Sequence, residues 1–135
     1  MEIGRLLTAM ITPFDENGEV NYEMAAKLAK AIIDSGSDGL VIGGTTGEAP
    51  TISDEEKLKL FSVVKESIGP DHALIAGTTN NNTKESVKLS KLAESTEVDG
   101  LLLTVPSYNK PTQDGLYKHF KSISEEVSIP CILYN

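Results

Sequence analysis

The sequence predicts an α/β fold whose parallel sheet is laid down by alternating strands and helices. Three observations carry that expectation. Five short apolar runs are separated by four segments of helical periodicity. Successive units begin roughly thirty residues apart, the size of a βα unit. The strand-like runs are apolar almost throughout instead of alternating, as in strands covered on both faces. Each helix then returns the chain to the same end of the sheet, which makes neighbouring strands parallel.

The elements follow in order. LLTAMIT (residues 6–12) is an apolar run stopped by Pro13, and it reads as the first strand. NYEMAAKLAKAIIDSG opens on Asn21, an N-cap residue, and ends at Gly36, the residue type favoured just past a helix. GLVIGG (39–44) is a second strand, and SDEEKLKLFSVVKESIG starts a second helix on a capping box, Ser53 with Glu56. ALIAGT (73–78) precedes the helical TKESVKLSKLAES. GLLLTVP (100–106) precedes TQDGLYKHFKSISEEV, where Leu116, Phe120, Ile123 and Val127 stripe one face. CILYN (131–135) is a fifth strand. SDGLVIGG and VDGLLLTV echo one another, each leading into its strand through Asp-Gly.

Composition narrows the function classes. The 135 residues suit a single domain, 1–135, able to bury a core without staples. A net charge of -8 repels nucleic acid and anionic membrane alike. The single cysteine, Cys131, forms no internal disulfide and is expected to pack in its strand. No stretch has the length of a membrane span and the first residues carry no cleavage signal, so the cytoplasm is the expected location. The sequon at Asn81 has no meaning without a secretory signal.

Two architectures meet the pattern, an open doubly wound sheet and part of a (βα)8 barrel. The strand-to-helix loops favour the barrel, where chemistry gathers at the ends of strands. GGTTGE, GTTNNNT, PSYNKPT and a terminal YN put hydroxyls, amides and phenols on one rim. The turn after the first strand lacks the Gly-x-Gly-x-x-Gly pattern of a dinucleotide fold. GGTTGE lacks the Gly-Lys-Ser/Thr ending of a phosphate loop; a plain structural turn and a binding loop remain open for it.

TPF after the first strand, GGTTGEAPTISDEEKLKLF, DGLLLTVPSYNKPTQDGLYKHF and IPCILYN resemble the N-terminal half of the dihydrodipicolinate synthase family of pyruvate-dependent aldolases and lyases, which includes N-acetylneuraminate lyase. The double threonine and the tyrosine of SYNKP resemble the synthase branch. The resemblance implies a (βα)4 half of a barrel plus a fifth terminal strand. It implies that Thr45 and Thr46 hold the pyruvate carboxylate and that Thr45 and Tyr134 relay protons, with Tyr108 completing the relay from a neighbouring subunit. A phenol and a hydroxyl in series pass a proton without leaving a charge in the pocket. It implies no cofactor and no metal.

The family's Schiff-base lysine lies on a sixth strand, beyond Asn135, so the chain alone is expected to be inactive. Its helical lysines, Lys57 and Lys65 among them, read as solvated, and Lys110 as a rim residue facing outward. Thr79 stands where the family has glycine, which opens the question of that loop's backbone. Asp54, Lys57 and Ser107 replace the residues with which lysine-inhibited members bind lysine, although Asn81 and Glu85 match, so feedback by lysine is not expected. A sheet open at both edges needs a cover. A homodimer or tetramer of half-barrels is therefore expected, and the stop after a strand points to an engineered fragment. Residual aldolase or lyase activity through another amine, and a non-catalytic module that binds a small carboxylate, are the alternative readings.

Overall fold

The computed structural model describes residues 3–135. Strands β1 (Leu7–Ala9), β2 (Gly39–Ile42), β3 (Ala73–Gly77), β4 (Gly100–Thr104) and β5 (Cys131–Tyr134) alternate with α1 (Tyr22–Asp34), α2 (Asp54–Ile68), α3 (Thr83–Glu94) and α4 (Gln113–Ser124). The sheet runs β1-β2-β3-β4-β5 with every neighbouring pair parallel, the half of a TIM barrel that the sequence predicts. β5 stays in the sheet, Cys131 opposite Leu101 and Tyr134 opposite Thr104.

The helices start where their caps place them. Asn21 Oδ1 accepts from Met24 N at 2.9 Å. Ser53 and Glu56 form the reciprocal capping box, Ser53 N donating to Glu56 Oε2 at 2.7 Å and Glu56 N to Ser53 Oγ at 3.2 Å. Thr112 Oγ1 accepts from Gly115 N at 3.2 Å. β1 is shorter than its apolar run, because the chain leaves the sheet after Met10 N donates to Val41 O. An antiparallel bridge, Phe14 to Val20, then closes a small hairpin absent from the sequence reading. Its turn is held by Asp15 Oδ1, which accepts from the backbone of Asn17 and Glu19; those bonds hold the Asp15 carboxyl below its ordinary range.

The Asp-Gly echo has a structural cause. Asp38, before β2, accepts from Arg5 N and Leu6 N at 2.7 and 2.8 Å and so pins the start of β1. Asp99, before β4, accepts from Leu74 N at 2.8 Å and pins the start of β3. Each carboxylate fastens its strand to the preceding one.

The helix-facing side of the sheet is the core. Leu40, Ile42, Leu74, Ala76, Leu101 and Leu103 are essentially fully buried there, against Ala25 and Ala29 of α1 and Leu60, Phe61 and Val64 of α2. Each large side chain so buried is worth about 1.5–3 kcal/mol. The alternate strand residues line the concave side. Ile75 is buried even there, its Cδ1 lying over Gly100 where a Cβ would be only 3.3 Å away. Ala9 remains exposed and Val41, Leu102 and Ile132 half-buried. At the sheet edges Leu6 and Leu133 are more than half exposed. No helix of the described residues is long and apolar enough to cross a membrane.

Candidate functional site

The ends of β2 and β3 come together because glycine lets their backbones touch. A Cβ at Gly77 would stand 2.5 Å from the Gly43 carbonyl oxygen, and Gly43 turns the chain with φ 68. Beneath it lies the Phe61 ring, 3.1 Å from where a Gly43 Cβ would project. The chain then folds back on itself. The Gly44 carbonyl accepts from Gly47 N and Ala49 N, the Thr45 carbonyl accepts from Glu48 N, and the buried Thr12 hydroxyl donates to Gly47 O at 2.6 Å. Thr45 and Thr46 therefore stand exposed on a crest fixed from below. Their hydroxyls make no hydrogen bond among the described residues, so both are available to a ligand.

A cavity of about 520 Å³ opens beside this crest, lined from the β2, β3 and β4 loops and the start of α2. Thr79 and Thr104 join hydroxyls across it at 2.9 Å, and Thr104 N also donates to Thr79 Oγ1 at 2.9 Å. Thr79 is not among the residues with positive φ, so the loop does without the glycine of the family pattern. The following asparagines each use their carbonyl oxygen within the fold. Asn80 Oδ1 accepts from Asn82 N, Asn81 Oδ1 from the Ser107 hydroxyl, and Asn82 Oδ1 caps α3 at Lys84 N.

The two tyrosines occupy different positions. Tyr134, opposite Thr104 in register, lies on the concave face and is 62% exposed. Tyr108 is 98% exposed at φ 71, the centre of a turn in which Asn109 N donates to Ser107 O at 2.9 Å. That is the rarer, strained form of γ-turn. It throws the phenol away from its own chain, and no hydrogen bond among the described residues joins Tyr108, Tyr134 and Thr45.

Two lysines depart from the sequence reading. Lys57 lines the cavity with its side chain only 11% exposed, and its partner, Asp54 Oδ1, stands at 3.6 Å, beyond hydrogen-bond length. Lys65 is equally covered, donating to Asp99 Oδ2 at 2.7 Å and to His72 O at 3.1 Å. The signal was present in the periodicity: Lys57 heads the stripe Leu60, Phe61, Val64, Ile68, which is the buried face of α2. His119 is a similar case, sharing the α4 stripe with Leu116, Phe120 and Ile123. It is 5% exposed, its Nδ1 2.9 Å from the Thr83 hydroxyl and its Nε2 without a partner. Burial pushes the imidazole below its ordinary pKa. Cys131 is a free, half-buried thiol, and burial with the nearby Glu94 charge pushes it up. No group of three or more His, Cys, Asp or Glu suited to a metal stands among the described residues.

The family model described as Dihydrodipicolinate synthetase family matches residues 2–135. The chain belongs to that family. A 4-hydroxy-tetrahydrodipicolinate synthase from Symbiobacterium thermophilum is 55% identical over 132 residues, covering 98% of this chain and 45% of the relative. A dihydrodipicolinate synthase structure from Bacillus anthracis superposes with TM-score 0.96 at 44% identity, over all of this chain and 46% of that one. The chloride-inhibited dihydrodipicolinate synthase of Acinetobacter baumannii, solved in complex with pyruvate, gives TM-score 0.94 at 41% identity, over 98% of this chain and 46% of that one. The chain thus spans a little under half the length of the dihydrodipicolinate synthases it matches.

Proposed function

We propose that residues 1–135 act as one domain, the half of a dihydrodipicolinate synthase site that receives pyruvate and relays its protons but supplies no nucleophilic amine. The observation that carries this reading is the crest at Thr45 and Thr46: hydroxyls without internal partners, on a loop held rigid by Thr12, beside a concave face carrying Tyr134. The likeness to a relative solved with pyruvate supports it. Thr45 and Thr46 donate to the carboxylate. Thr45 and Tyr134 pass a proton to and from the pyruvate-derived carbon, and Tyr108, turned outward, serves a second copy. In the complete family reaction pyruvate condenses as a Schiff base with aspartate semialdehyde on the route to lysine.

The missing part is chemical. A Schiff base needs an amine held dry against the carbonyl, and β1 to β5 contain no lysine. Lys57 lines the cavity beside the crest, but it stands on a helix with Asp54 beside it. The chain by itself is therefore inactive in the condensation. The edges at β1 and β5, with Leu6 and Leu133 uncovered, support closure by a second copy into a homodimer or a higher assembly. Residence in the cytoplasm goes with this reading.

Pyruvate titration followed by amide NMR tests the binding step. Thr45→Val/Thr46→Val is expected to weaken pyruvate by about tenfold or more, the loss of two hydrogen bonds to a charged group. Unchanged affinity in the double variant contradicts the assignment.

A further inference from the structure

We propose that Asn17 is a modification site: it deamidates in the folded protein through a cyclic imide formed with Gly18. The reaction is intramolecular. The Gly18 main-chain nitrogen attacks Asn17 Cγ, an N–C bond forms, the bond from Cγ to the side-chain NH₂ breaks, and ammonia leaves with the proton from Gly18 N. Water then opens the imide at either carbonyl, giving aspartate or the β-linked isoaspartate. No oxidant or reductant takes part. A following glycine favours the step, because it has no Cβ to hinder the approach of the nitrogen and turns freely.

The sequence offers imide chemistry four places, Asn17-Gly18, Asp38-Gly39, Asp99-Gly100 and Asp114-Gly115. The fold closes the last three. The Asp38 carboxylate accepts from Arg5 N and Leu6 N, and Gly39 is buried in β2 against Ala73 O. The Asp99 carboxylate accepts from Leu74 N and Lys65 Nζ, and Gly100 is buried in β4 against Pro130 O. Gly115 N is held by Thr112 Oγ1 in the first turn of α4, with Asp114 paired to Lys118 at 2.7 Å.

Asn17 and Gly18 are exposed at the tip of the hairpin that Asp15 N closes by donating to Glu19 O at 2.8 Å. Gly18, at φ 82, is the left-handed residue that a three-residue hairpin loop places there, and nothing stands within 4 Å of where its Cβ would be. The bond that holds its nitrogen, to Asp15 O at 3.1 Å, lies in this exposed tip and opens without disturbing the core. β-linkage adds a carbon to the main chain inside the loop, and the new carboxylate joins Asp15, Glu16 and Glu19. The hairpin therefore loosens, and with it the segment that runs back to Pro13 and Thr12.

The test is to hold the 135-residue chain at mildly alkaline pH, folded in one arm and unfolded in urea in the other, and to follow it by intact mass, peptide mapping and labelling with an isoaspartate methyltransferase. The folded chain is expected to gain one mass unit at Asn17, with every other asparagine converting about tenfold more slowly or less. Asn17→Gln, with its fold checked by circular dichroism, is expected to lose that gain. Label at Asp38, Asp99 and Asp114 is expected only in urea. The β-linked chain, separated by ion exchange, is expected to unfold at lower urea than Asn17→Asp, which carries the same charge on an ordinary main chain. The proposal is overturned if the folded chain keeps Asn17 while the unfolded chain converts it, if another asparagine reacts as fast, or if Asp38 and Asp99 are labelled equally in both arms. Equal urea midpoints overturn the loosening of the hairpin.

Discussion

At the residue scale the side chains that stand out are polar groups on apolar stripes. Lys57, Lys65 and His119 each occupy a helical position that repeats with buried neighbours, and each is covered in the fold. A reading by residue type alone puts lysine in solvent. The stripe puts it inside, with Asp99 as the partner that makes burial of Lys65 tolerable. Thr45, Thr46, Tyr108 and Tyr134 were singled out from motif, and the structure places the two threonines on an exposed loop, Tyr108 in an exposed turn and Tyr134 at the end of β5.

His119 makes a pH prediction. Its ring is kept neutral by burial, with Nε2 unpaired, so the folded imidazole titrates below the ordinary value of about 6.5. As pH falls through about 6.5 the unfolded chain takes up a proton that the folded chain resists, so stability is flat above that pH and declines below it. Between pH 7 and pH 5 the urea midpoint of the protein is expected to fall further than that of His119→Leu. Parallel curves contradict the assignment.

At the scale of elements, caps and periodicity locate the starts of the four helices to within a residue, while α4 ends at Ser124, three residues before the Val127 that the stripe had included. Asn21 and Ser53, the caps that the sequence names, each accept a backbone N–H of the first turn, and Thr112 does the same for α4 without having been singled out. Strand ends were less legible. β1 keeps three residues of a seven-residue apolar run, since the chain beyond Met10 is claimed by the Phe14–Val20 hairpin, a contact set by the Asp15 turn and not by hydropathy. The meeting of β2 and β3 depends on Gly77, whose missing Cβ makes room for the Gly43 carbonyl. Gly77→Ala is expected to cost about 1–3 kcal/mol by overpacking and to weaken pyruvate by displacing the Thr45 crest. Denaturation and pyruvate titration check the two effects; a variant as stable as the parent, with equal affinity, contradicts the account of the rim.

At the scale of the whole molecule the parallel order was legible because alternation of strands and helices leaves few topologies, and the loops selected the barrel over the open sheet. The curved sheet has its helix side filled and its concave side lined in part by half-exposed apolar residues, with free backbone groups along β1 and β5. Those edges predict self-association: sedimentation at micromolar concentration is expected to give a dimer or larger species. A stable folded monomer there contradicts the proposed closure.

The central claim is a division of labour, with the carboxylate crest and the relay hydroxyls on this half of the barrel and the reacting amine outside it. Incubation of the 135-residue chain with pyruvate and borohydride, followed by intact mass spectrometry, addresses it most directly, because reduction makes any lysine–pyruvate imine a permanent secondary amine. The account predicts an unmodified mass. A pyruvate adduct mapped by peptide sequencing to Lys57 or to any other lysine of the chain would contradict it.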